Sequence, residues 1–138
     1  MTQIAQGSFE VELNPQGAAE KISGSSLGRM LLHKRFHGDL EASSAGEMLT
    51  ARTDIEGSAG YVAIERVTGV LQHRKGSFVL QHYGTLARGV PQQTITIVPD
   101  SGSAELSGIS GSMTITIVDK KHYYRLDYSL ADKLQELI

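Results

Sequence analysis

Cysteine is absent from the 138 residues. Without a thiol there is no disulfide framework, no thiolate metal site and no cysteine nucleophile, which leaves acid, base and hydroxyl chemistry. An excess of positive charge is absent too: 13 basic and 15 acidic residues give a formal charge of −2. The broad cationic field on which non-specific nucleic-acid binding depends is therefore missing, and nucleic acid is not an expected partner. Long apolar runs are lacking. Stretches such as Met113 to Val118 carry threonine at every other position and fall far short of the roughly 20 residues that span a bilayer. The opening MTQIAQGSFEVEL has no basic region and no signal-like apolar run, so a cytoplasmic protein without membrane attachment is expected.

What is present describes a globular chain. Hydrophobic residues make up 40% and charged residues 20%, enough for one domain over 1–138 with its own core. The 15 glycines lie between Gly7 and Gly111 and cut the chain into pieces of strand length. Phe9, Val11 and Leu13 alternate with Ser8, Glu10 and Glu12, the two-residue period of a half-buried strand. The same reading gives Leu27 to Phe36, then a hairpin of Asp39 to Ser43 and Glu47 to Asp54 turning at Ser44-Ala45-Gly46. Ala59 to Leu71 and Ser77 to Leu86 form a second hairpin about Arg74-Lys75-Gly76. Gln93 to Val98, Ala104 to Ile109, Ser112 to Val118 and His122 to Leu130 follow, the last two turning through Asp119-Lys120-Lys121. About nine strands result. In Ala131 to Ile138 the apolar residues fall at helical spacing with Asp132 in the first turn, so a short terminal helix is expected. Many short strands in one domain suit an antiparallel barrel, whose closure leaves no edges; a two-sheet sandwich has the same signature.

Five blocks in order, FHGDLEASSAGEML at 36–49, GYVAIERVTG at 60–69, GSFVLQHYGT at 76–85, VPDSGSAELSGISG at 98–111 and HYYRLDYSL at 122–130, resemble a bacterial family known as a domain of unknown function. Its members look like allene-oxide-cyclase-type barrels. The resemblance covers nearly everything from Gly7 to Leu130 and implies an all-β, single antiparallel, roughly eight-stranded closed barrel of the calycin-like kind, with an interior cavity. It implies no established activity, and the 131–138 tail lies beyond it.

The richest polar set is Tyr61, Glu65, Arg66, Gln81 and His82 on one hairpin. Register decides their faces. A three-residue connection at Arg74 to Gly76, which turn chemistry favours because glycine suits the third position, puts Arg66 with His82 and Glu65 with Gln81. An even connection puts Glu65 and His82 together with Tyr61, Phe78 and Leu80. On a dry interior face, burial would raise the Glu65 pKa and prepare it as a general acid or base, with His82 orienting it or shuttling its proton. The bland readings are exposed wall charges or a structural ion pair for Glu65 and Arg66, and a satisfied interior histidine for His82. On the last strand Tyr124 and Tyr128 share one face and Tyr123 and Asp127 the other; one pair is expected to line the interior, where tyrosine hydroxyls bind a ligand or simply pack.

Other patterns carry less. His33 and His37 share a strand face with Arg35, a poor metal environment and a good solvated one, so no metal or cofactor is expected. The Ser-Gly run from Ser101 to Gly111 lacks a Gly-Lys-Ser/Thr end and a following helix, which leaves tight turns in place of a phosphate loop. The leading expectation is a barrel whose interior holds a small apolar or amphipathic molecule, with Glu65 and His82 as the catalytic candidates and Tyr61, Arg66, Gln81, Tyr124 and Tyr128 as ligand contacts. Two rivals stand beside it. One is an isomerase or cyclase using Glu65; the other is an interaction protein, homo-oligomeric through an exposed wall or the Leu134 to Ile138 tail. Whether the protein is an enzyme is open at this level.

Overall fold

Residues that alternate apolar and polar along an extended chain can bury one face only against other strands, and eight of the ten strands do so here. The structure is a computed structural model that describes residues 2–18 and 20–130. In chain order the strands are β1 Gln3–Pro15, β2 Glu20–Ile22, β3 Ser25–Gly38, β4 Leu40–Thr53, β5 Ala59–Leu71, β6 Arg74–Ala87, β7 Val90–Ile97, β8 Ser103–Ala104, β9 Ser110–Val118 and β10 Lys121–Ser129. Eight of them hydrogen-bond antiparallel in a ring, β1-β10-β9-β7-β6-β5-β4-β3, which the β1–β3 pairing closes. The two short ones lie outside it, β2 on β3 and β8 on β6. The fold is thus the closed antiparallel barrel expected from the sequence, and closure gives every long strand two partners.

Four details differ from the sequence reading, the least of them that the last hairpin turns through Asp119-Lys120 alone, with Lys121 already paired to Val118 in β10. Ser44-Ala45-Gly46 is no turn: it lies inside the continuous β4, and Gly46 sits opposite Glu65, where an added Cβ would come within 2.8 Å of the Glu65 Cβ. The glycine marks a close approach of two strands, not a chain reversal. The second hairpin turns at Gln72-His73, not at Arg74-Lys75-Gly76; both turn residues have positive φ, 43° and 75°, as a two-residue turn between twisted strands requires. Ala104 to Ile109 is not a strand. After β8 it runs through tight turns that push Leu106 and Ile109 into the core. The helix expected over 131–138 lies outside the described residues. Among the described residues no helix is long and apolar enough to cross a membrane.

The interior is filled unevenly. Along β1 the inward residues run from Ala5, 0% exposed, through Phe9, 4%, to Leu13, 43%; along β9 they run from Met113, 3%, to Ile117, 62%. One end holds Phe36, Leu40, Leu71, Phe78, Leu80 and Leu126, and the 98–109 connection adds Leu106 and Ile109. The other end, where β1, β4, β6 and β9 finish and β3, β5, β7 and β10 begin, is open.

Candidate functional site

The β5–β6 register places Ala63 opposite His82, Glu65 opposite Leu80 and Tyr61 opposite Gly84. Directly paired residues share a face, so Tyr61, Glu65 and His82 all point inward, the outcome of an even connection. The favoured three-residue turn would have separated them. It fails because the chain reverses two residues earlier than that turn. Glu65 is 0% exposed and His82 is 3% exposed.

A third strand brings a cation to them. On β3, Lys34 alternates inward with Leu32 and Phe36, and its Nζ donates to Glu65 Oε1 at 3.0 Å. The ammonium also lies 5.1 Å from the centre of the Phe9 ring and 5.9 Å from that of Phe36, faces that attract a cation. Ser44 Oγ on β4 donates to Glu65 Oε2 at 3.1 Å. His82 Nε2 approaches Glu65 Oε1 only to 3.5 Å, a long electrostatic contact, and neither ring nitrogen has a hydrogen-bond partner among the described residues. Burial pushes the Glu65 pKa upward, but His82 and Lys34 beside it outweigh burial and hold it below the usual carboxylate range. The expectation that burial would raise it is thereby reversed: His82 and Lys34 together keep the carboxyl ionised at neutral pH.

Above this cluster, toward the open end, lies a cavity of about 520 Å³. Leu13, Met30, Met48, Leu86, Ile115 and Ile117 give it apolar walls. Tyr61 joins the two regions, since its ring lines the cavity and also meets the His82 ring edge-on, with centroids 5.9 Å apart. Gly84 makes room for it; a Cβ there would stand 2.7 Å from the Tyr61 ring. The Tyr61 hydroxyl accepts a hydrogen bond from the Gln93 amide. Burial and the Glu65 charge raise the Tyr61 pKa against the lowering effect of Gln93, so the phenol stays protonated.

The remaining expected contacts are elsewhere. Arg66 and Gln81 point outward on the barrel wall and do not reach the interior, the same two-residue period that turns their neighbours in. Tyr124 and Tyr128 point inward but at the packed end. Tyr124 Oη accepts from the Leu40 N–H at 2.9 Å and donates to the His37 carbonyl at 3.0 Å, tying down the β3–β4 turn. Tyr128 Oη bonds Gln3 and Gln72. Their hydroxyls serve the protein's own chain. Among the described residues no cluster of His, Asp and Glu could hold a metal ion. Sequence reasoning passed over Lys34, Ser44 and Gln93. For Lys34 the signal was present, because it shares parity with Leu32 and Phe36.

Fold and cavity define a small closed antiparallel β-barrel with one end packed and the other open around an apolar chamber. Residues 5–128 match the family described as a protein of unknown function, DUF3224, and the chain belongs to it. Its structure is similar to the crystal structure of a protein with unknown function from the same family in Shewanella oneidensis MR-1, with a TM-score of 0.90 at 45% identity over 96% of this chain and 100% of that one. No curated protein matches the chain.

Proposed function

We propose that the open end of the barrel binds a small apolar or amphipathic molecule. The observation that carries this reading is the chamber of about 520 Å³ with apolar walls and a few polar groups at its inner end, the usual make-up of a ligand pocket. In this reading the barrel works in the bacterial cytoplasm without metal, cofactor, nucleic acid or membrane. Native mass spectrometry with decanol as the probe tests it. A one-to-one complex is expected, lost when Met48→Trp fills the chamber; the absence of any complex ends the reading.

A second reading, an isomerase or cyclase, is favoured by one observation: an ionised carboxylate and an imidazole without a hydrogen-bond partner among the described residues lie together beneath Tyr61. Glu65 would accept a proton from a substrate that displaced the Tyr61 ring. Likeness to allene-oxide-cyclase-type, calycin-like barrels supports this by fold analogy. Because Lys34 and Ser44 stabilise the carboxylate, Glu65 is a weak base. Turnover unchanged in Glu65→Gln would exclude it. A third reading, self-association, finds support on the outer wall, where Leu49, Val62, Ile64 and Tyr83 stand half exposed side by side; a sedimentation coefficient unaltered by Ile64→Lys would remove it.

A further inference from the structure

An apolar chamber alone does not say what its occupant carries at the far end; the rim does. Two hollows at the open end share Met30, Thr50 and Arg52. The larger runs inward from these residues to Tyr61. The smaller, about 320 Å³, spreads over the rim beside Pro15 and Ser26 and adds Arg29. Among the described residues no aspartate or glutamate lines either. Arg29 is joined to Glu47 at 2.9 Å, whereas Arg52 takes part in no ion pair among the described residues. Deeper in, the Lys34 ammonium is already matched by Glu65, and the neutral Tyr61 hydroxyl accepts from the Gln93 amide.

The chamber therefore has a polarity. An anion pushed to its inner end would lose water without finding an uncompensated cation, an unfavourable exchange. Left at the rim, the same anion keeps part of its hydration and meets a guanidinium whose planar fork suits a carboxylate. We infer that the occupant is an amphiphile with a carboxylate head, its head held at the rim by Arg52 and its chain pointing inward between Met30, Met48 and Ile115 toward Tyr61. This rests on the reading of the chamber as a binding site.

Isothermal titration calorimetry of the full chain with decanoate, decanol and decylammonium, all below micelle formation, tests the head group apart from the chamber. Decanoate is expected to bind about fivefold to tenfold tighter than decanol, the range of one partly exposed charged pair, and decylammonium more weakly than decanol. Arg52→Gln, a change at an exposed position, is expected to bring decanoate down to decanol while leaving decanol unchanged, and raised salt is expected to narrow the wild-type preference. Equal affinities in the wild type, or a preference that survives Arg52→Gln, would overturn the carboxylate assignment while the chamber stood. If none of the three bound, the chamber reading itself would fall.

Discussion

The two ends of the barrel are built from the same eight strands with the same alternation, yet one is solid and the other hollow. At the packed end Phe36, Leu71, Leu80 and Leu126 are 0% exposed and the tyrosine hydroxyls bond the chain itself. At the open end inward-facing Leu13 and Ile117 remain accessible. The difference comes from what crosses each mouth. The 98–109 connection drives Leu106 and Ile109 into one end, whereas among the described residues the connections at the other end, 16–24, 54–58 and the two-residue turns Arg88-Gly89 and Asp119-Lys120, add no residue to the core. Facing inward in a barrel is thus a matter of strand parity, while being buried depends on the cap. The ligand site proposed above falls at the end that, among the described residues, lacks one.

Large-to-small changes at the two ends should break this comparison if it is wrong. Phe78→Ala, in the packed end, is expected to cost about 4 kcal/mol, the range for a buried aromatic whose site cannot collapse. Met48→Ala, on the chamber wall, already faces open volume and is expected to cost about 1 kcal/mol or less. Urea unfolding of both variants measures the gap, and equal costs would mean that the chamber is packed in solution.

Between the ends, Glu65→Gln is expected to cost about 3 kcal/mol, because the Lys34 ammonium would be left buried without its counter-charge. Lys34→Met on the same background should recover much of that loss, as replacing a buried pair together often does. The pH dependence has a definite sign. The folded Glu65 pKa is lower than the unfolded one, so its contribution is present above the unfolded value of about 4.3 and is lost as pH falls through the lowered folded value. Thermal melts across that acid range should show the wild type losing stability more steeply than Glu65→Gln.

The barrel was legible because parity and strand-length punctuation survive any single misplaced turn. Register was harder. Gln72-His73 carries no glycine or asparagine, so a turn with two positive-φ residues had no chemical marker, while Gly46 and Gly76, which look like turn residues, lie inside strands where neighbours crowd their Cα atoms. The inward pair Glu65 and His82 depended on that register and was visible only as one of two branches. Lys34 was visible by parity with Leu32 and Phe36, but a charge on an inward face needs a partner, and only the fold shows the carboxylate two strands away, on β5, that offsets it. Tyr124 and Tyr128 were legible as sharing one face, with Tyr123 on the other, but which face turns inward was not. Which end of the barrel they occupy is set by strand pairing over the whole chain, which local pattern does not encode.

The same residue type at both ends gives the finest comparison. Tyr124→Phe removes the acceptor of the buried Leu40 N–H and the donor to the His37 carbonyl, and leaving such groups unpaired is expected to cost about 2 kcal/mol. Tyr61→Phe removes one bond to a solvent-reachable Gln93, which water can replace, so about 0.5 kcal/mol is expected. Alkaline titration separates them a second way. Burial pushes the Tyr124 phenol up to about 12, above the ordinary value near 10, with Asp39 and Glu41 adding to the rise and the Leu40 hydrogen bond opposing it. A raised folded pKa means that its stabilisation is complete below about pH 10 and is lost as pH rises from there through about 12, where the unfolded chain gives up the proton first. Tyr61 and Tyr128 are raised as well but less, so tyrosinate absorbance should show the wild type retaining one phenol later than these until unfolding begins, with that last step gone in Tyr124→Phe and kept in Tyr61→Phe. If removing Tyr61 abolished the late step instead, the buried and tightly bonded hydroxyl would belong to the chamber, and the assignment of the two ends would be inverted.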